Sequence, residues 1–177
     1  MDPTGVCRMR HAVLPLAISA VALAFAPSAA AQTAVDACSL LSKAEVQTAL
    51  AVPTVAAQRD ARDYGGVCTY RDPKQQSRGG QYVRIVAYRF PSADDAEQQY
   101  NNQVNTTEES DATFAESGVG DKAFSTVTTD DRGRHASVVA RHGRVALTVE
   151  VGAGNLNRSG DRGRAVALAR AALRRLQ

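Results

Sequence analysis

Two cysteines, Cys38 and Cys68, constrain the fold of this chain more than any other feature of its sequence. Cys38 lies just ahead of a helix start, because Ser42 and Glu45 form an S-x-x-E capping box. Cys68 lies in a short β-prone run, Val67–Arg71, whose side chains alternate between two faces. We therefore predict a Cys38–Cys68 disulfide that joins the first helix to a strand.

The first 31 residues have the pattern of an export signal. A basic head precedes the apolar run Ala12–Phe25, which is too short to span a bilayer comfortably. Small residues then lead to Ala31, as a signal peptidase requires. We predict cleavage after Ala31, a single mature domain over 32–177 without a transmembrane span, and a periplasmic or secreted location. A retained membrane anchor is the alternative.

The mature chain keeps two of the three cysteines, because Cys7 belongs to the signal. An even number of cysteines in an oxidising compartment favours a disulfide. Metal or redox chemistry is the alternative, but the chain has no C-x-x-C motif and no histidine pair near the cysteines. A lipid anchor on Cys38 is a further alternative. Against it, Asp36 lies two residues upstream, where a lipoprotein signal has small or apolar residues.

The spacing of apolar residues predicts an α+β domain. Strands are predicted at 54–59, 67–71, 81–90, 123–128, 135–141 and 144–151, and helices at 43–51, 92–104 and 161–176. We expect an antiparallel sheet of about five or six strands with helices packed on it. The order strand–strand–helix occurs at 67–104 and again at 135–176, which suggests an internal ββα duplication.

Residue types found in catalytic sites are present but poorly arranged. The segment 152–157 follows a strand and precedes a helix, but Asn157 occupies the third glycine position of a dinucleotide loop. His135 begins one predicted strand and His142 follows its end, in a predicted two-residue turn His142–Gly143. The two histidines are therefore about 20 Å apart and cannot share a metal by themselves. The acidic pairs are interpreted as solvated caps and loops: Asp94–Asp95, Glu108–Glu109 and Asp130–Asp131. We therefore predict no catalytic residue, cofactor or metal.

Charge is segregated along the chain. Residues 92–131 contain ten acidic residues and one basic residue, a net charge of −9, whereas 132–177 contain ten arginines and two acidic residues, net +8. Four arginines on the polar side of the predicted last helix are the candidate contact face for an anionic partner: Arg164, Arg170, Arg174 and Arg175. Alternatively, the two halves neutralise each other, or the arginines form a solvated face. Nucleic acid is not expected, since no aromatic residues are interleaved with the arginines.

Four segments occur in an order that resembles an uncharacterised group of small bacterial exported proteins and lipoproteins of unknown function. They are Cys38–Val46 (C-S-L-L-S-x-x-E-V), Cys68–Tyr70 (C-T-Y), Gly118–Phe124 (G-V-G-D-K-A-F) and the arginine-rich terminal helix. The resemblance implies an envelope location and no known activity, so no functional residue carries over.

We expect a non-enzymatic exported protein that binds an unknown envelope protein or an anionic ligand. Two alternatives stay open. One is a structural or accessory subunit of an envelope complex, recognised through a sheet edge. The other is a hydrolase whose site is assembled from residues distant in sequence.

Overall fold

The computed structural model describes residues 34–62, 65–74, 80–108, 112–130, 133–153 and 158–176. The helices are α1 (Lys43–Leu50), α2 (Ala93–Glu108) and α3 (Arg158–Arg174), with a 3-10 turn at Ala37–Ser39 before α1. The strands are β1 (Ala56–Arg62), β2 (Gly65–Arg71), β3 (Tyr82–Arg89), β4 (Ala112–Ala115), β5 (Lys122–Asp130), β6 (Gly133–His142) and β7 (Val145–Ala153). None of these helices is long and apolar enough to cross a bilayer.

The described strands form one antiparallel sheet of seven, in the order β1-β2-β3-β7-β6-β5-β4. This confirms the predicted α+β class, with one strand more than the upper estimate. The additional strand is β4, which pairs with Phe124–Val127 of β5 and lies outside the predicted strands. Strand β2 begins earlier than the predicted residue 67, because Gly65 and Gly66 pair with Tyr88 and Ala87 inside the sheet.

Helices cover both faces of the sheet. The α1 and α3 side packs on alternate apolar residues such as Val138 and Leu147, both fully buried. On the opposite face, Tyr100 of α2 packs edge-on against Phe124, with ring centroids 5.6 Å apart, and against Val139. Since Val138 and Val139 are neighbours in β6, their side chains point to opposite faces. The helices α2 and α3 therefore lie on opposite sides of the sheet.

This arrangement gives no support to the suggested internal duplication. The element order β2-β3-α2 does recur as β6-β7-α3, and β3 and β7 are antiparallel neighbours in the sheet. A two-fold axis relating such neighbours must run perpendicular to the sheet, so it would place both helices on the same face. The observed helices occupy opposite faces, so the recurrence is one of element order alone.

The segment ahead of α1 is fastened to β2 by covalent and polar contacts. The predicted disulfide joins Cys38 to Cys68, with their Cα atoms 5.0 Å apart. The hydroxyl of Tyr70 lies 2.8 Å from the carbonyl oxygen of Leu41 and 3.0 Å from that of Cys38. The disulfide occupies the Cys38 sulfur that a lipid anchor would need.

The predicted capping box at the start of α1 is present. The backbone N–H of Glu45 donates to the Ser42 hydroxyl at 3.2 Å, and the backbone N–H of Ser42 donates to the Glu45 carboxylate at 2.8 Å. Leu41 and Val46 flank the box and are both buried in the core. Two otherwise unpaired N–H groups are thereby satisfied where the helix begins.

The two edges of the sheet differ in exposure and length. β4 is a strand of four residues, whereas β1 has seven residues, all of them exposed. Two charged pairs lie on β1: Arg59 with Asp36 at 2.9 Å and Arg62 with Asp60 at 2.9 Å. The β1 edge is therefore charged along its C-terminal half, from Arg59 to Arg62.

Opening the disulfide should destabilise the mature domain. We expect the Cys38→Ser/Cys68→Ser double variant to lose about 3–4 kcal/mol of unfolding free energy, because a loop of ~30 residues is no longer closed in the unfolded state. Urea denaturation of residues 32–177 measures the loss, and reductant should move the wild-type midpoint while leaving the variant unchanged. A wild-type midpoint insensitive to reductant would contradict this role of the disulfide.

Candidate functional site

The four arginines predicted to form one contact face of α3 have different surroundings. Arg170 and Arg174 lie one helical turn apart, are exposed, and line a common cleft. Arg164 approaches the buried carboxylate of Asp161, and Arg175 reaches towards α1. At 100° per residue, Arg164 and Arg175 lie on one border of the exposed side of the helix, well away from Arg170 and Arg174.

Arg175 holds the end of α3 against the N-terminal segment. Its Nη1 donates to the carbonyl oxygen of Leu40 at 2.8 Å, and its Nη2 donates to the Glu45 carboxylate at 2.9 Å. Burial acts to raise the pKa of Glu45, but hydrogen bonds from Ser42 and Arg175 keep that pKa below its ordinary value. Arg175 is therefore committed to an internal contact.

Arg164 lies near a buried acidic side chain, that of Asp161. Asp161 is fully buried near the start of α3. Burial raises the pKa of its carboxyl group, against the opposing influence of Arg164 and Arg134. The positive charge of Arg164 therefore acts in part on the buried carboxyl group of Asp161.

Several contacts pair the acidic and basic halves of the chain. Arg162 donates to Glu116 at 2.7 Å and to the buried hydroxyl of Ser125 at 3.0 Å, and its guanidinium lies 4.2 Å above the Phe114 ring. Elsewhere, an Arg141 nitrogen lies 2.7 Å from a carboxylate oxygen of Glu97 on α2. The acidic segment 92–131 and the basic segment 132–177 therefore neutralise each other in part, as one alternative in the sequence analysis predicted.

The cleft beside α3 has a volume of about 310 Å³. It lies between the end of β6, the loop that precedes β5 and the last turns of α3. Its lining residues are Gly118, Gly120, Asp121, His142, Arg170, Leu173 and Arg174. The cleft therefore combines Arg170 and Arg174 of the predicted arginine face with His142, which was predicted to lie in a turn.

The loop that forms one wall is held at both ends. Val119 is buried in the core, and the backbone N–H of Asp121 donates to the carbonyl oxygen of Arg141 at 2.8 Å. Arg170 donates to the carbonyl oxygens of Ser117 at 2.9 Å and Gly118 at 3.2 Å. These contacts fix the wall before any ligand arrives.

Asp121 and His142 form a pair at the floor of the cleft. Asp121 Oδ1 lies 3.3 Å from His142 Nδ1, and Asp121 Oδ2 accepts from the backbone N–H of Gly143 at 2.8 Å. The Gly143 hydrogen bond lowers the pKa of Asp121 despite partial burial, with further help from His142 and Arg141. Asp121 is therefore held as a carboxylate.

His142 lies at the end of strand β6, and the hairpin turn that follows begins one residue later than predicted. His142 is the last residue of β6 and pairs with Val145, so the turn is Gly143–Arg144 instead of His142–Gly143. His135 lies near the other end of the same strand, as predicted, and does not line the cleft. Among the described residues, no group of three His, Cys, Asp or Glu side chains could hold a metal ion.

Arg174 differs from Arg170 and Arg175, which bind backbone carbonyl groups, and from Arg164, which is half-buried near Asp161. It is exposed in the cleft, and no hydrogen bond or ion pair joins it to another residue within the described ranges. Its guanidinium charge is therefore available to a ligand, whereas Arg170 shares its charge with the loop carbonyls.

A second cleft of about 310 Å³ lies beside α2. It is lined by Phe90, Pro91, Asp95, Gln98, Gln99 and Asn102. Its described lining carries one acid and no basic residue, and Asp95 is engaged with the Ser92 hydroxyl as a helix cap. It offers nothing that would attract an anion.

The glycine-rich segment at 152–157 has a structural use at its first residue. Gly152 lies in β7, where a Cβ atom would come within 2.0 Å of the Tyr82 ring. The remaining residues from 154 to 157 lie outside the described ranges. The acidic pairs at 108–109 and 130–131 likewise lie wholly or partly beyond what the structure describes.

No protein-family model matches this sequence, and no curated protein is significantly similar to it. The resemblance to small exported proteins therefore stays a prediction from motif order. The function is argued below from the geometry of the cleft.

The wall of the cleft should depend on the left-handed conformation of Gly120, whose φ is +64°. An added Cβ would lie 2.5 Å from the backbone oxygen of Arg141. We expect Gly120→Ala to cost about 2–4 kcal/mol of unfolding free energy, because backbone strain and a backbone clash add. Denaturant titration at neutral pH measures this.

Gly143→Ala is the matched control for that substitution. Gly143 also has a positive φ, +55°, but an added Cβ meets nothing within 4 Å. Its cost should be only about 1 kcal/mol, the conformational part alone. Equal losses in the two variants would show that the close approach to Arg141 has no energetic role.

Proposed function

We propose that the mature chain is a non-enzymatic exported protein of the bacterial envelope that binds an anionic partner or ligand in the cleft beside α3. One observation carries the proposal: Arg174 lies exposed in this cleft without an ionic partner in the described structure, one turn from Arg170. Arginine is suited to this use because its planar guanidinium binds carboxylate and phosphate groups through two parallel hydrogen bonds.

The surrounding charges favour an anion at this position. Two other arginines of the basic half are paired with acids, Arg141 with Glu97 and Arg175 with Glu45. The acid that lines the cleft, Asp121, is compensated by the Gly143 N–H and by Arg141, whose Nη1 lies 3.4 Å away. Two guanidinium groups therefore dominate the charge that a ligand meets.

The same lining supports binding more than covalent catalysis. The His142–Asp121 pair could orient a base, but the described lining residues include no serine, threonine, cysteine or lysine side chain. A mechanism that uses a hydroxyl, thiol or amine nucleophile therefore has no candidate within the described lining.

The envelope location in this proposal rests on the signal pattern of residues 1–31. The Cys38–Cys68 disulfide is compatible with an oxidising compartment. An anionic ligand also suits this location, since bacterial envelopes present many acidic polymers and headgroups.

Arg174 should contribute measurably to anion binding. We expect Arg174→Gln to weaken the binding of citrate to the mature domain about fivefold at pH 7.0 and low ionic strength, because one guanidinium contact with the anion is lost. Chemical shifts in a titration monitored by NMR measure the affinity, and added salt should weaken it further.

Arg62→Gln is the matched control. It removes the same charge from the exposed edge strand β1, where Arg62 pairs only with Asp60 among the described residues. This variant should retain the wild-type affinity. An equal loss in both variants, or no binding by the wild type, would count against the cleft as an anion site.

Export should remove the first 31 residues. We expect protein recovered from the periplasmic fraction of a bacterial host to begin at Gln32, as intact mass spectrometry can show. The Ala29→Phe/Ala31→Phe variant should be left uncleaved, because signal peptidases require small residues at these positions. Full-length wild-type protein in the cytosol would contradict the proposed location.

A further inference from the structure

We infer that the cleft beside α3 is a site for a phosphate group, in which His142 acts as a third cationic ligand beside Arg170 and Arg174. This inference rests on the proposed anion-binding function and specifies its ligand chemistry. The three side chains come from two elements, the end of β6 and the last turns of α3, and line one cleft.

The arrangement suits a tetrahedral oxyanion more than a planar carboxylate. A phosphate group offers at least three acceptor oxygens pointing in different directions, whereas a carboxylate offers two in one plane. Three nitrogen-bearing side chains that approach from different elements can each contact a different phosphate oxygen. Guanidinium groups also match phosphate geometry through paired hydrogen bonds.

The cleft has room for more than the phosphate itself. Its volume of about 310 Å³ lies at the lower end of the range of ~300–1,000 Å³ that is usual for small-molecule pockets. Leu173 supplies an apolar part of the lining. The site can therefore accept a phosphate together with part of the organic group that carries it.

The contact with Asp121 determines what His142 presents to this ligand. Asp121 is an acceptor, so the Nδ1 that lies 3.3 Å from it carries the ring proton when the imidazole is neutral. Nε2 then presents a lone pair, which repels an anion. When the ring gains a second proton, Nε2–H becomes a donor, and the site gains one positive charge.

The other charged groups around His142 keep a constant charge over the relevant range. Asp121 stays ionised because its pKa is lowered by the Gly143 N–H. Arg170 and Arg174 face the cleft from α3, and arginine is always protonated in proteins.

On β6 itself, Arg141 is paired with Glu97 of α2. Hydrogen bonding to Lys122 lowers the pKa of Glu97, so this carboxylate is also constant near neutrality. In the turn, Arg144 donates to the carbonyl oxygen of Pro91. Among the described lining residues, His142 is thus the side chain of a type that can change charge near neutral pH, and a protonated ring should strengthen phosphate binding.

The first experiment uses sulfate, a tetrahedral dianion whose charge does not change between pH 5.5 and 7.5. We expect the mature wild-type domain to bind sulfate about fivefold more tightly at pH 5.5 than at pH 7.5, as one added unit charge near the anion would give. The ring signals of His142 should shift on sulfate addition, while those of His135 should not. Affinity independent of pH would overturn the inference.

The second experiment removes the titrating group. His142→Gln should lower sulfate affinity at pH 5.5 to the level of the wild type at pH 7.5 and abolish the pH dependence. His135→Gln is the matched control, since it removes the other mature histidine from the far part of β6, and it should leave the pH dependence intact. Urea denaturation of both variants verifies that each is folded. A folded His142→Gln variant that retains the pH dependence would overturn the role of His142.

The third experiment identifies the source of the phosphate. Inorganic phosphate and glycerol phosphate probe a free ligand, and phosphatidylcholine vesicles containing phosphatidic acid probe a lipid headgroup. Binding of either kind that is lost in Arg174→Gln supports the inference and assigns the source. Citrate binding that needs Arg174, without binding of sulfate or any of these phosphates, would overturn the phosphate assignment while leaving the proposed anion-binding function standing. Loss of citrate binding as well would remove both.

Discussion

The attachment of the N-terminal segment to β2 is the constraint on which the rest of the structure depends. The Cys38–Cys68 bond and the Tyr70 hydroxyl hold the residues before α1 against the sheet. Arg175 then joins the end of α3 to the same segment through Leu40 and Glu45. Because the segment before α1 and the end of α3 meet there, the last turns of α3 are fixed in direction, and the cleft they border is fixed with them.

Opposite charges separated in sequence are used in two ways. Some pair across the fold, as Arg162 does with Glu116, and these pairs join α3 to the edge of the sheet. Others donate hydrogen bonds to backbone carbonyl groups, as Arg170 does to the loop after β4. Arg174 does neither within the described structure. The segregation therefore mainly serves assembly, and the proposed anion site uses the small remainder at one end of α3.

Local signals predicted most of the fold, and long-range pairing explains the rest. The capping box, the disulfide and the β6–β7 hairpin follow from residues close in sequence or from a forced choice between two cysteines. Strand β4 was missed because its four residues resemble a loop until β5 pairs with them. Helical periodicity groups the four arginines on one predicted face, but their different contacts depend on which carbonyls and acids the fold brings near each residue. His142 was interpreted as a turn residue, because only the distant 117–121 loop makes it part of a cleft.

The charged edge strand has a consequence for behaviour in a crowded compartment. A seven-residue strand with one unpaired side is a template on which another chain could add and begin aggregation. Strand addition at β1 would bring an incoming backbone against Arg59, Asp60 and Arg62, whose side chains are hydrated and exposed. The cost of stripping water from these groups opposes open-ended growth of the sheet, so solubility is protected at the edge that no helix or further strand covers in the described structure.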